Sequence, residues 1–439
     1  MAPENEEREL RRQRREELRQ QRKKQDRKLI IALIAAALVL VACGVLIYVM
    51  TRSPGNSGPD TPATGDTGVV TAPTETGTQP DTKPESDMAD RPDTTVITIA
   101  AAGDLNINDG VIASGGMTFQ YTNAIMDVLP LLANADLTML NFEGNLSGAP
   151  YGTETCSAPQ SVADALKAAG VDIVQVANSR SIANGMIGLS ATLQNLRLAG
   201  LEPVGAYATN AEAKQAGGYT ICTVQGIRVA VVAFTKGMDS AALPSGSEKC
   251  VNVLYTDYAS TYNKVDTSGI TKILRAAEAE DPDITIALLH WGSEYNDAIS
   301  DTQKDIRDLL FSEGVDAIIG SHPHYLQSMK FDQTNGRFIA YSLGDFFNDG
   351  QRSGTNYSVV LELEVTKDNR TGETKLTGYD YTPIYTVTGS DGLLRVVRLE
   401  AAMKAYENRY VDRVSEAVYE DMKYSLTRIE DRIHTEVKD

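Results

Sequence analysis

Three of the four histidines in this 439-residue sequence fall where a short apolar run ends. His290 follows Ile284–Leu289, and His322 and His324 follow Ala317–Ile319 in the block Gly320-Ser321-His322-Pro323-His324. Other apolar runs end in Asp104, in Asn141-Phe142-Glu143-Gly144 and in Asn178. Carboxylates, an amide oxygen and imidazoles form a donor set for Mn²⁺, Fe²⁺ or Zn²⁺, and the absence of cysteine from it argues against a thiolate site. A lone histidine is ordinarily a surface or satisfied core residue. Three at such positions point instead to a divalent metal site. His434, in a charged C-terminal stretch, is left out of this set.

The elements that must position these residues alternate. Apolar, β-rich runs occur at Val96–Ala102, Asp136–Leu140, Asp172–Ala177, Arg228–Thr235, Ile284–Leu289, Ala317–Gly320 and Arg337–Leu343. Helical spacing fills Asn123–Ala133, Ser161–Ala169, Ile187–Ala199, Ser268–Ala279 and Gln303–Ser312. This cadence predicts a layered α/β domain whose ligands bind outside the carboxyl ends of the strands, where the candidate residues stand. Tyr357–Thr366 and Thr374–Val387 read as antiparallel additions to a sheet. Residues 390–436 read as two helices, of which Tyr410–Glu436 either covers the core or extends from it. No spacing matches a phosphate-cradling loop.

Upstream, the sequence changes character three times. Residues 1–28 hold eleven Lys/Arg against seven Asp/Glu, a charge of +4, and residues 29–50 hold none, so the formal −18 of the whole leaves −22 after Met50. Nucleic-acid binding by that acidic part is not expected, because phosphate backbones are held by basic patches. The 22 uncharged residues from Leu29 to Met50 suffice to cross a bilayer, and the basic flank Arg22, Lys23, Lys24, Arg27, Lys28 places the N-terminus in the cytoplasm. A cleaved signal peptide, or a lipoprotein lipidated at Cys43, are the competing readings, and all three put the rest outside the cell. Residues 51–95 carry seven of the sixteen prolines and almost no large apolar residues, so they read as an extended tether. The expected organisation is a charged cytoplasmic tail (1–28), a transmembrane helix (29–50), a tether (51–95), an extracellular α/β domain (96–388) and a helical extension (389–439). Cys156, Cys222 and Cys250 allow one disulfide, most simply Cys222 with Cys250.

The motifs Gly103-Asp104, Asn141-Phe142-Glu143-Gly144, Leu289-His290-Trp291-Gly292-Ser293-Glu294-Tyr295, Gly320-Ser321-His322-Pro323-His324 and Tyr341-Ser342-Leu343-Gly344-Asp345-Phe346 resemble those of the capsule-synthesis CapA family. The resemblance covers about residues 96–388. It implies a role with poly-gamma-glutamate capsule and an α/β/β/α sandwich of the metallophosphoesterase type, here preceded by one transmembrane helix. It also implies a ligand set: Asp104 and His324 for one ion, Asn178, His290 and His322 for the other, and Glu143 bridging. Such a pair, about 3.5–4 Å apart, activates a water and clamps the oxyanion formed on attack.

Three departures matter. Arg180 stands where the family has a histidine after Asn178, and a guanidinium cannot act as a general acid near neutrality, although it can grip a carboxylate or phosphate. Asp345 stands where the family has asparagine, free to pair with Arg180 or to face solvent. Asn106 occupies the place of a first-motif histidine. Beside these, Glu294 and Tyr295 are candidates to line a substrate pocket, with packing around Trp291 as the plainer role. Two functional classes stay open. One is a metal-dependent hydrolase of a surface polymer, with Arg180 orienting the anionic substrate. The other is a non-catalytic component of polymer synthesis and export, anchored in the cell membrane beside synthase and exporter subunits.

Overall fold

The computed structural model describes residues 92–409 and 414–437, in which fourteen strands form two sheets. The first contains β1 (Thr94–Asn106), β2 (Leu137–Glu143), β3 (Ile173–Gln175), β4 (Glu202–Val204), β11 (Asp345–Phe347), β12 (Tyr357–Asp368), β13 (Thr374–Thr388) and β14 (Leu394–Arg398). Their order is β14-β13-β12-β1-β2-β3-β4, with β11 added in parallel to the end of β1. The second contains β5 (Tyr219–Val224), β6 (Ile227–Thr235), β7 (Ile284–His290), β8 (Ala317–Ser321), β9 (Met329–Asp332) and β10 (Arg337–Ala340), in the order β5-β6-β7-β8-β10-β9. Strands β1 to β4 run parallel, as do β6, β7, β8 and β10. The fold is mixed α/β.

Period-two alternation divides the second sheet between two cores. Val229, Val231, Ile286, Leu288 and Ile319 join Ile97, Ile99 and Met139 of the first sheet in the larger core. Their neighbours Ala230, Val232, Phe234, Ala287, Leu289 and Ile318 face Ile270, Leu274 and Ala277 of the helix Thr267–Glu278 and Ile306 and Leu310 of the helix Asp301–Ser312. Both faces of these strands are therefore apolar, as parallel strands covered on two sides require.

At the rim opposite the strand ends that carry Asp104 and His290, an aspartate repeats. Asp136, Asp172, Asp283 and Asp316 each precede a strand, and each carboxylate accepts from a backbone N–H of the neighbouring strand: Thr98 at 2.8 Å, Thr138 at 3.1 Å, Arg228 at 2.7 Å and Thr285 at 2.8 Å. The same aspartates donate their own N–H to those residues' carbonyls at 2.8–2.9 Å. Each bracket satisfies the first backbone groups of a parallel ladder and pins its register.

Three expectations change. Asn123–Ala133 is two short helices, Thr122–Ile125 and Leu129–Ala133, because Pro130 lacks the N–H to continue a helix but suits the first turn of a new one. Residues 390–436 begin with β14 before the helices Leu399–Glu407 and Glu416–Ile433. The latter covers β12 and β13, burying Met422, Ile429 and Ile433 in the larger core. Cys156, Cys222 and Cys250 are all free thiols, so the Cys222–Cys250 bridge is absent. Cys222 is only half-buried on β5, with its thiol toward the Val229 carbonyl, whereas the buried Cys250 thiol reaches Asn210. The tail at 1–28, the apolar segment 29–50 and nearly all of the tether at 51–95 lie outside the described residues. Among the described residues no helix is long and apolar enough to cross a membrane.

Candidate metal centre

The carboxylates of the centre come from one sheet and the imidazoles from the other. Asp104 lies near the end of β1, Glu143 ends β2 and Asp345 begins β11, while His290 ends β7 and His322 and His324 follow β8. All six are buried, none more than 4% exposed. Two close backbone approaches bring the rims together, and both need glycine. A Cβ on Gly103 would lie 1.8 Å from the Gly344 carbonyl oxygen, and one on Gly320 would lie 1.9 Å from that of Tyr341 and 2.5 Å from the Trp291 indole nitrogen. His322 and His324 have φ of 91° and 57°, left-handed values that bulky residues adopt only under constraint, at a cost of about 1–3 kcal/mol each. The turn around Pro323 thus brings both rings to the same centre.

Two trios result. Ligand atoms of Glu143, His290 and His322 lie within 4.8 Å of one another, as do those of Asp104, His324 and Asp345. Atoms bound to one ion at about 2.0–2.2 Å stand roughly 3–4 Å apart, so each trio needs only a small contraction to share one. Glu143 joins the two groups: its Oε1 lies 3.6 Å from His290 Nε2 and its Oε2 lies 3.8 Å from His324 Nε2. That Oε2 is buried without a hydrogen-bond partner. An orphaned carboxyl oxygen facing an imidazole is expensive in a protein interior and fits an atom reserved for a cation.

Around the trios the hydrogen bonds are dense. Asp104 accepts from Asn141 Nδ2 at 2.5 Å and from the His322 N–H at 3.0 Å. His290 Nε2 faces His322 Nδ1 at 3.0 Å, with the Ser179 hydroxyl 3.0 Å from the former and 3.4 Å from the latter. His324 Nδ1 meets Asp345 Oδ1 at 2.8 Å, and Asp345 Oδ2 accepts from Asn348 Nδ2 at 2.5 Å. Asp345 therefore neither pairs with Arg180 nor faces solvent; it lies buried against the His324 ring, within the second trio.

Burial shapes the charges. It pushes the Asp104 carboxyl up to about 6 and that of Glu143 up to about 8, with the His324 cation pulling against it. It also drives His290 and His322 well below the ordinary histidine range, helped for His290 by the other two imidazoles and for His322 by Lys236 and His324. At His324 burial acts the same way, but Asp345, Glu143 and Asp104 outweigh it and hold the ring well above that range. Two neutral imidazoles beside Glu143 are in the protonation state that metal ligands require.

The other candidate residues lie around this core. Asn178 is buried, and its amide is bonded at both atoms: Nδ2 donates to Asn141 Oδ1 at 3.0 Å and to the Phe142 carbonyl at 2.7 Å, while Oδ1 accepts from the Arg180 N–H at 2.9 Å. It fastens the loop after β3 to β2 and stands beside the first trio, its Nδ2 bonded to Asn141, whose own Nδ2 lies 3.3 Å from His290 Nδ1. The Arg180 guanidinium is partly exposed and pairs with Asp239. Glu294 is exposed, and Trp291 is fully buried, stacked on Tyr341 and bonded to its carbonyl at 2.8 Å. Asn141, Ser179 and Ser321 are functional neighbours that sequence reasoning left without roles. Their signal was adjacency to the motif residues.

A family model described as a bacterial capsule synthesis protein, PGA_cap, matches residues 98–350, which is more than half of the chain and includes all six buried residues of the two trios. The chain belongs to the PGA_cap family. Two curated relatives are similar to this PGA_cap protein: the capsule biosynthesis protein CapA of Bacillus anthracis, 27% identical over 56% of this chain and 58% of that one, and the PGA biosynthesis protein CapA of Bacillus subtilis (strain 168), 27% identical over 60% and 64%. The chain thus spans less than two thirds of the length of either. Similar solved structures include a calcineurin-like phosphoesterase, YfkN, from Bacillus subtilis (16% identity, 66% of this chain and 90% of that one, TM-score 0.41). Another is a 5'-nucleotidase precursor from Thermus thermophilus (12%, 76% and 59%, TM-score 0.40).

Proposed function

We propose that this chain is a membrane-anchored, outward-facing component of capsular polymer synthesis and export, and that its domain holds a divalent metal pair, Mn²⁺, Fe²⁺ or Zn²⁺, at the rim between the sheets. The polymer is poly-gamma-glutamate or a similar anionic chain. The observation that carries the reading is the coincidence of the PGA_cap match with two buried ligand trios joined by Glu143. Glu143, His290 and His322 hold one ion, and Asp104, His324 and Asp345 hold the other. Asn178, assigned to the first ion by family resemblance, would reach it through Oδ1 while its Nδ2 fastens the loop after β3 to β2. When bound, such a pair supplies Lewis-acid polarisation and a water that loses its proton near neutral pH.

What the chain's own residues add is binding rather than proton transfer. Arg180 stays protonated, so it offers no proton, and it can grip a carboxylate or phosphate only with the guanidinium donors not given to Asp239. The domain therefore binds and positions the anionic polymer for partner subunits at the membrane. The second reading, an active hydrolase of a phosphoester or amide linkage, is favoured by the joined trios and disfavoured by Arg180. Metal analysis of the purified chain beside a His322→Ala, His324→Ala double variant tests both. About two equivalents of metal, lost in the variant, supports the site, and a folded chain that takes up none after reloading overturns it. Hydrolysis of model phosphodiesters or gamma-glutamyl amides gained by Arg180→His would move the assignment to the hydrolase.

A further inference from the structure

Three cations stand near the mouth of the centre, and two are already engaged. Arg180 pairs with Asp239. Lys236 donates to the Gly292 carbonyl at 2.6 Å and lies 4.7 Å from the centre of the Tyr262 ring. Arg352 differs: it is exposed and has no carboxylate partner among the described residues. Its guanidinium lies 3.8 Å above the Tyr295 ring, and that ring stacks on His324 at 5.1 Å and 24°. Both supports are fastened. The Tyr295 N–H donates to the Pro323 carbonyl at 2.8 Å, and the loop of Arg352 is held by Tyr325 Oη to the Ser353 carbonyl at 3.1 Å and by Thr355 Oγ1 to the Arg352 carbonyl at 2.8 Å.

We propose that Arg352, carried on the face of Tyr295, anchors an anionic group of the substrate on the His324 side of the centre, with Tyr295 as its positioning residue. The ligand chemistry is a carboxylate or phosphate adjacent to the linkage held at the trios. A guanidinium stacked on a ring keeps its in-plane N–H groups free for a two-pronged contact, and preordering on the ring reduces the entropy lost on binding. The proposal rests on the reading that an anionic polymer reaches this centre.

The test is calorimetric binding to the metal-loaded full chain, with a gamma-linked glutamate decamer as one probe and inorganic phosphate as the other. Arg352→Gln is expected to weaken decamer binding about tenfold and to flatten its salt dependence, the loss associated with one charged hydrogen-bonded contact. Tyr295→Leu, which keeps the charge and removes the platform, should lose nearly as much, and Tyr295→Phe should bind as the parent does. Unchanged affinity and salt dependence in Arg352→Gln would overturn the anchor while leaving the polymer reading intact. Phosphate binding that depends on Arg352 without any decamer binding would keep the anchor and overturn the polymer. Binding of neither probe by the parent would overturn both.

Discussion

Glu143 is buried between imidazoles with one oxygen unpartnered, and its carboxyl is pushed up to about 8. A carboxyl whose value in the fold lies above its ordinary 4.5 favours the protonated form, so its stabilisation is complete below about pH 4.5 and is lost as pH rises toward 8. Glutamine has the same shape and cannot ionise. In chelator-treated protein, Glu143→Gln should therefore gain melting temperature over the parent as pH rises from about 4.5 to 8, the gap then holding constant. Scanning calorimetry across that range checks it, and a flat difference would contradict the burial argument. In metal-loaded protein the order should reverse, because the variant loses the charged group of the first trio, which also faces His324 of the second. Asp345 offers a second handle at this scale. Asp345→Asn keeps the shape but removes the foremost group holding His324 charged, so the His324 ring should titrate lower, as followed by NMR of its ring protons in the chelated chain. The buried acids and imidazoles gathered at this rim were legible in sequence as candidates, because Asp104, Glu143, His290, His322 and His324 each sit where an apolar run stops. The role of Asp345 was not: its partner lies twenty-one residues away, beyond the β9–β10 hairpin, and the pairing of β11 with β1 places it at this rim.

At the scale of elements, the four aspartate brackets and the two close-packed glycines separate stability from site geometry. Asp316→Ala leaves the Thr285 N–H, 4% exposed as a residue, without its side-chain acceptor and should cost about 1–3 kcal/mol in urea denaturation, with metal content unchanged because the bracket lies at the far rim. Gly320→Ala should cost at least about 2 kcal/mol and also lower metal content, since its Cβ would displace β8 from Tyr341 just before His322. Equal metal content in the two variants would contradict this division. The strands that carry the site were readable from apolar runs and β-branched residues. The short strands β4, β9 and β11, of three or four residues, were not, because so few residues show no period and are held by their neighbours. Nor did the sequence reveal that acids and imidazoles lie on separate sheets, since parallel strands with similar apolar runs leave their sheet assignment to the connections.

For the molecule as a whole, the helix Glu416–Ile433 is part of the core. Its Tyr381 and Tyr385 contacts, to Glu430 at 3.1 Å and Asp421 at 2.6 Å, fix it over β13, and Met422, Ile429 and Ile433 are fully buried. Each such side chain contributes about 1.5–3 kcal/mol, against a total stability of about 5–15 kcal/mol for a typical domain. A chain ending at Asn408 should therefore lose its cooperative thermal transition or melt far lower, as circular dichroism would record. An unchanged melt would mean that the helix is an accessory. The sequence left open whether this segment covers the core, because its amphipathic pattern says that one face is buried and not against what.

The path of β1 has a mechanical consequence. The strand enters the domain at Thr94, at the rim of the aspartate brackets, and delivers Asp104 to the metal centre at the other rim. It is paired along its length, with β12 from Thr94 to Ala101 and with β2 from Ile99 to Asn106. Ladder hydrogen bonds lie across the strand axis or at a slant to it, so tension along β1 loads many of them together in shear instead of opening them one by one. A domain tethered through its N-terminal segment and gripping a polymer at the opposite rim would carry the pull along its best-secured strand.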